Sequence, residues 1–205
     1  MPNALVEMKD VHKSYGPVRA LDGVDFTVGH KEIVGLLGDN GAGKSTLIKI
    51  LSGIVPATRG EIHIRGEKVE IKSTNDAIRL GIETIHQDSA LVPQLSIARN
   101  LFLGREPLKG PAFLNRMDQE AMNRIAGELL REVGITKKLA PDTPVSLLSG
   151  GERQAVSIAR ALYFDSDLII LDEPTNNLGV EETHGVLRFV RNARDSGHSS
   201  IFIAH

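Results

Sequence analysis

Two textures of hydrophobic and polar positions alternate along the chain. Residues 5–11, 24–28, 62–64 and 68–71 are short, partly alternating runs, separated by glycine turns such as Tyr15-Gly16-Pro17 and Arg65-Gly66-Glu67. Runs of this kind bounded by turn residues predict strands that bury one face, so together they predict an antiparallel β layer. Residues 33–37, 168–171 and 200–204 are short apolar runs, the pattern of parallel strands covered on both faces, and residues 82–86 are a candidate fourth. The first of these runs leads into a glycine-rich turn and then a helical pattern.

The middle of the chain reads differently. Met122, Ile125, Leu129 and Val133 recur at helical spacing, with Asp118 placed to cap the start and Gly134 the end. This apolar stripe is read as ordinary core packing within a mainly helical subdomain. Residues 105–111 carry two prolines and a glycine, which predicts a loop at the edge of that subdomain.

Composition narrows the class. The chain has 205 residues, 41% of them hydrophobic and 24% charged, with a net charge of −2. These are ordinary globular values, which exclude disordered and fibrous classes and fit one compact domain with a subdomain. A net charge near zero argues against a protein whose main role is electrostatic nucleic-acid binding. Cysteine is absent, so there is neither a disulfide framework nor a thiolate metal site. The N-terminus lacks a basic region followed by an apolar run, and no stretch approaches the ~18 apolar residues of a membrane helix. The expectation is a soluble chain, or one held at a membrane through a partner.

The sharpest chemical signal is Gly38-Asp39-Asn40-Gly41-Ala42-Gly43-Lys44-Ser45-Thr46, which fills the pattern G-x-x-x-x-G-K-[ST] after an apolar strand. Glycines let the backbone curl close to phosphate oxygens, so consecutive N–H groups and the following helix N-terminus point at one anion. Lys44 would place its ammonium on the β- and γ-phosphates, Ser45 would offer its hydroxyl to magnesium, and Thr46 would add a hydroxyl near the α-phosphate. A second signal is the apolar strand that ends in Asp172 and Glu173. Carboxylates at the carboxyl end of a parallel strand stand where open α/β sheets bind ligands. Adjacent strand residues face opposite ways, so Asp172 would serve the magnesium shell and Glu173 an attacking water.

Between these two motifs lies Leu148-Ser149-Gly150-Gly151-Glu152-Arg153-Gln154, opening a helical pattern. Ser149 and the glycines expose N–H groups at a helix start, an anion site with no lysine of its own. With all three motifs in this order, the chain resembles the ATP-binding cassette (ABC) ATPases. The resemblance implies an α/β fold: a P-loop NTPase core with a mostly parallel sheet, an N-terminal antiparallel β subdomain and a helical subdomain. It implies a single domain over 1–205, with about 1–86 and 160–205 forming the nucleotide-binding core and about 87–159 the helical subdomain with the signature motif.

The same resemblance implies ATP and magnesium as ligands. It further implies a head-to-tail homodimer, in which Ser149, Gly150, Gly151 and Glu152 of one protomer close over the nucleotide of the other. A γ-phosphate must be surrounded by donors to stabilise transferring charge, and one concave domain covers only one side. Tyr15 is similar to the aromatic that stacks on adenine. Gln87 is similar to the glutamine that senses the γ-phosphate and magnesium, and His205 to the switch histidine on the γ-phosphate.

The chain departs from the family pattern in two places. Gly179 follows Asn177-Leu178 where the family usually has an aspartate that couples the two sites, and the chain stops at His205 where the family domain continues. The second departure gives the expectation of a C-terminally truncated domain. Residues 81–88 and 91–106 resemble the corresponding region of bacterial carbohydrate importers of the ribose, galactose or xylose type. That resemblance implies transmembrane permease subunits as partners, a sugar-binding protein indirectly, no nucleic acid, and a peripheral location on the cytoplasmic face of the bacterial inner membrane. Two other readings stay open at this point: a nucleotide-binding regulatory module with low turnover, and a soluble ABC ATPase outside transport.

Overall fold

The computed structural model describes residues 4–85, 91–111, 116–132, 139–164, 166–174 and 180–203. They form two compact units, one drawn from Met1–Gln87, Asp165–Pro174 and Val190–His205, the other from Asp88–Phe164 and Thr175–Phe189.

In the first unit, β1 (Ala4–Tyr15) and β2 (Val18–Gly29) pair as an antiparallel hairpin in which Tyr15 faces Val18. Gly16 in the connecting turn has φ 58°, a left-handed conformation that two-residue hairpin turns require at this position. Strands β4 (Arg59–Ile64) and β5 (Glu67–Val69) extend the sheet in the order β2-β1-β4-β5, the antiparallel layer expected from the alternating runs. Val6, Met8 and Val11 of β1, Leu21 and Val28 of β2, and Ile62 and Ile64 of β4 point into the core.

A second sheet holds β3 (Ile33–Leu36), β6 (Ile82–Ile85), β9 (Leu168–Asp172) and β10 (Ser199–Ile203) in the order β3-β10-β9-β6, with every pair parallel. All four expected apolar runs are strands here. The central one is apolar throughout because it is buried on both faces: Leu168, Ile169, Ile170 and Leu171 are at most 1% exposed. Helix α1 (Lys44–Leu51) follows β3 and packs Leu47, Ile48, Ile50 and Leu51 into the same core as Ile170, Ile201 and Ile203. Helix α2 (Thr74–Arg79) precedes β6, capped by the Ser73 hydroxyl, which accepts the Asp76 N–H at 3.2 Å.

The second unit is built on α3 (Ile97–Leu101), α4 (Gln119–Glu132) and α5 (Gly150–Tyr163). Phe102, Met122, Ala126, Val156 and Ala159 are fully buried in its core. The α4 expectation holds where it can be read: Asp118 Oδ1 accepts the Ala121 N–H at 3.0 Å, and Met122, Leu129 and Ile125 face the core. Val133 and Gly134 lie outside the described residues. Asn100, 1% exposed, accepts the Val92 N–H and donates to the carbonyls of Val92, Leu95 and Ser96. One buried amide thereby satisfies the backbone of the turn that leads into α3.

One expectation is corrected. Residues 105–111 were expected to be loop, but β7 (Leu108–Lys109) pairs antiparallel with β8 (Arg116–Met117). Strands of two residues are too short to display a period, so the prolines and glycine dominated the sequence signal. The last helix, α6 (Val180–Asp195), runs between β9 and β10 in the chain. No helix among the described residues is long and apolar enough to cross a membrane.

Candidate active site

The glycine-rich segment leaves β3 at Leu36 and enters α1 at Lys44, with Gly38, Gly41 and Gly43 all at positive φ. Gly43 shows why glycine is needed. At φ 89° a Cβ would stand 2.7 Å from both Ala20 O and Leu21 Cδ2, so the loop lies directly against β2. Inside the loop, the Ala42 N–H donates to Asp39 O at 3.2 Å. Lys44 is 7% exposed, and its ammonium folds back onto the loop, donating to Gly38 O and, at 3.0 Å, to Asp39 O. The cation is thus held over the loop.

A cavity of about 360 Å³ opens on this loop. Asp39, Asn40, Gly41, Ala42, Gly43, Lys44, Ser45 and Thr46 line one side, and Tyr15, Val18, Arg19 and Ala20 the other. Tyr15 is 45% exposed, which leaves ring surface for stacking on a flat base, while the Lys13 ammonium lies over the ring 5.2 Å from its centre. Val18, Arg19 and Ala20 are cavity residues that no sequence motif marked. Their signal was the hairpin itself: Ser14 pairs with Arg19 and Tyr15 with Val18, so the returning strand had to stand beside the aromatic.

Asp172 closes β9 and pairs with Ile203 of β10, which in turn pairs with Leu36 of β3. Leu36, Ile203 and Asp172 therefore form one row at the carboxyl edge of the sheet. Two strand spacings of about 4.8 Å put the Asp172 backbone roughly 10 Å from the start of the glycine-rich loop. Glu173 follows at φ 49°, a left-handed conformation costly for a residue with a Cβ and frequent at functional sites. Ile85 of β6 pairs with Leu171 at this same edge. Gln87, His205 and Gly179 lie outside the described residues.

The Ser149 segment belongs to the second unit and opens α5. The Ser149 N–H donates to Glu152 Oε2 at 2.8 Å, and the Glu152 N–H donates to Ser149 Oγ at 3.2 Å. This is a reciprocal capping box, the arrangement that the S-x-x-E spacing announces. The Ser149 hydroxyl oxygen and the Glu152 carboxylate both serve the cap.

Oxygen donors suited to magnesium are present in the first unit: the Ser45 hydroxyl at the second position of α1 and the Asp172 carboxylate. Among the described residues no group of three or more His, Cys, Asp or Glu side chains forms a metal cage. This donor set fits magnesium, which binds nucleotide sites through one or two protein oxygens and takes the rest from phosphates and water.

Comparison with known proteins agrees with the geometry. Residues 21–176 match the ABC transporter family. The chain is 48% identical over 203 residues to the xylose/arabinose import ATP-binding protein of Sulfolobus acidocaldarius, covering 98% of this chain and 78% of that protein. It is 43% identical to the fructose import ATP-binding protein of Rhizobium meliloti, with 94% and 75% covered. It is also 41% identical to the ribose import ATP-binding protein of Caldanaerobacter subterraneus, where 98% of this chain spans only 40% of the relative. Among solved structures, an ATP-binding cassette of an ABC transporter in its ADP conformation superposes with a TM-score of 0.85 at 24% identity, over 98% of this chain and 81% of that one. A dimeric ATP-binding cassette bound to ADP and phosphate gives a TM-score of 0.80 at 26% identity, over 98% and 88%. The chain belongs to the ABC transporter family and is an ATPase of the ATP-binding-cassette class.

Proposed function

We propose that this chain is the ATP-hydrolysing subunit of a sugar importer, seated on permease subunits at the cytoplasmic face of the membrane and served indirectly by a sugar-binding protein. The observation that carries the ATP site is the cavity flanked by Tyr15 on one side and Asp39–Thr46 on the other, with Asp172 in register at the same sheet edge. The sugar reading rests on the three import relatives, named for xylose/arabinose, fructose and ribose.

In this reading adenine stacks on Tyr15 and the phosphates enter the N–H groups of the glycine-rich loop. Lys44 then turns from Gly38 O and Asp39 O to the β- and γ-phosphates, exchanging neutral acceptors for charged ones. Ser45 and Asp172, with Gln87, would hold magnesium, which supplies charge neutralisation on the phosphates. Glu173 orients water at the γ-phosphorus and accepts its proton as the bond to the β-phosphate oxygen breaks, and His205 contacts the γ-phosphate. The remaining donors come from a second copy arranged head to tail, through the Ser149 hydroxyl and the N–H groups of Gly150 and Gly151. Glu152 contributes by keeping that helix start in place.

The test is magnesium-ATP turnover of the chain beside Glu173→Gln, with light scattering to follow dimer formation. The expected result is turnover reduced at least 100-fold in the variant together with an ATP-dependent dimer. ATP binding with neither turnover nor dimer in either protein would favour a regulatory module instead.

A further inference from the structure

Two cationic residues, Lys44 and Arg19, are among those lining the cavity on the glycine-rich loop, and no motif accounts for Arg19. Its place is fixed by both neighbours. Val18 pairs with Tyr15, while Ala20 carries the carbonyl that would meet a Cβ on Gly43 at 2.7 Å. Arg19 therefore stands on the cavity wall between the aromatic and the first turn of α1. A nucleotide with its base on Tyr15 and its terminal phosphates at Lys44 brings its α-phosphate to this stretch of wall.

The present bonding of the two cations differs. Lys44 is buried and engaged by two loop carbonyls, whereas Arg19 donates from its guanidinium to Asp22 Oδ2 at 3.4 Å, in a pair whose side chains are 73% and 60% exposed. A long, exposed pair of this kind holds little energy and is readily exchanged. Asp22 is also not left bare by the exchange, because its other oxygen lies 3.2 Å from His12 Nδ1. The guanidinium fork matches phosphate oxygens better than a single distant carboxylate oxygen.

We infer that Arg19 is a further nucleotide-binding residue, whose guanidinium leaves Asp22 for the α-phosphate. This rests on the ATP reading above. Because the α-phosphate is common to ATP and ADP, Arg19 holds substrate and product alike, unlike groups that address the γ-phosphate.

The experiment is calorimetric titration of ATP and of ADP into the wild-type chain, Arg19→Gln, Arg19→Lys and Asp22→Asn at low and high salt, with circular dichroism to verify folding. Arg19→Gln is expected to weaken both nucleotides by the same factor, about tenfold, and to flatten the salt dependence. Arg19→Lys, which keeps the charge but not the fork, recovers only part of the loss, and Asp22→Asn, with Arg19 in place, tightens ATP and ADP alike. Unchanged affinities in Arg19→Gln, a loss confined to ATP, or equal salt slopes would overturn the inference. Wild-type protein that binds neither nucleotide would overturn the ATP reading with it, whereas wild-type binding beside an unaffected Arg19→Gln overturns the inference alone.

Discussion

Single residues set the chemistry of this cavity, and the tightest constraint is Gly43. Its left-handed φ and the 2.7 Å approach to Ala20 O leave no room for a side chain. Gly43→Ala is expected to cost about 2 kcal/mol or more and to displace the loop, read as a lower urea midpoint together with lost ATP binding. Tyr15 permits a milder test. Tyr15→Ala should weaken ATP about tenfold by removing the stacking face, and Tyr15→Trp should keep it, both measurable by calorimetry. Lys44, Ser45, Asp172 and Glu173 could be nominated as site residues from the sequence because the motifs that mark them are only a few residues long. Arg19 could not, since its place depends on strand pairing and on a contact made across the fold by a missing Cβ.

At the scale of elements, the helix starts carry the polar engineering. Ser149→Ala removes half of the capping box at α5 and should cost about 1 kcal/mol in a denaturant titration. At α4 the backbone N–H of Ala121, with Lys109 nearby, holds the Asp118 carboxyl below the usual carboxylate range. The Ser73 hydroxyl and the Lys72 N–H do the same for Asp76 at α2. A carboxyl depressed in the folded state stabilises above its unfolded pKa, near roughly 4, and that contribution is lost as the pH falls through the lower folded value. Asp118→Asn, which cannot ionise, should therefore show a shallower loss of denaturant midpoint on acidification than the wild-type chain; identical slopes would remove Asp118 from the acid response. The parallel strands were readable because burial on both faces removes polar residues altogether, as at Leu168–Leu171. The β7–β8 ladder was hidden because two residues carry no period, and the Ser149–Glu152 box because the glycines beside it suggested exposed N–H groups.

For the whole molecule, the ordered motifs carried the family assignment, since spacing along the chain survives where side-chain geometry does not. The sequence left the cavity wall open, because that wall is assembled from the β1–β2 hairpin and a loop more than twenty residues later. Binding at an assembled cavity is linked to stability. Magnesium-ATP at about 100 times its dissociation constant should add about 2.7 kcal/mol and raise the melting temperature by about 5–10 °C. Glu173→Gln should keep that shift, since the role proposed for Glu173 lies in hydrolysis and not in binding. The most direct measurement is calorimetric titration of magnesium-ATP into the wild-type chain and into Lys44→Ala. One nucleotide bound per wild-type chain and an affinity at least 100-fold weaker in Lys44→Ala is the predicted result. Equal affinity in the two proteins would contradict the assignment of this cavity as the ATP site.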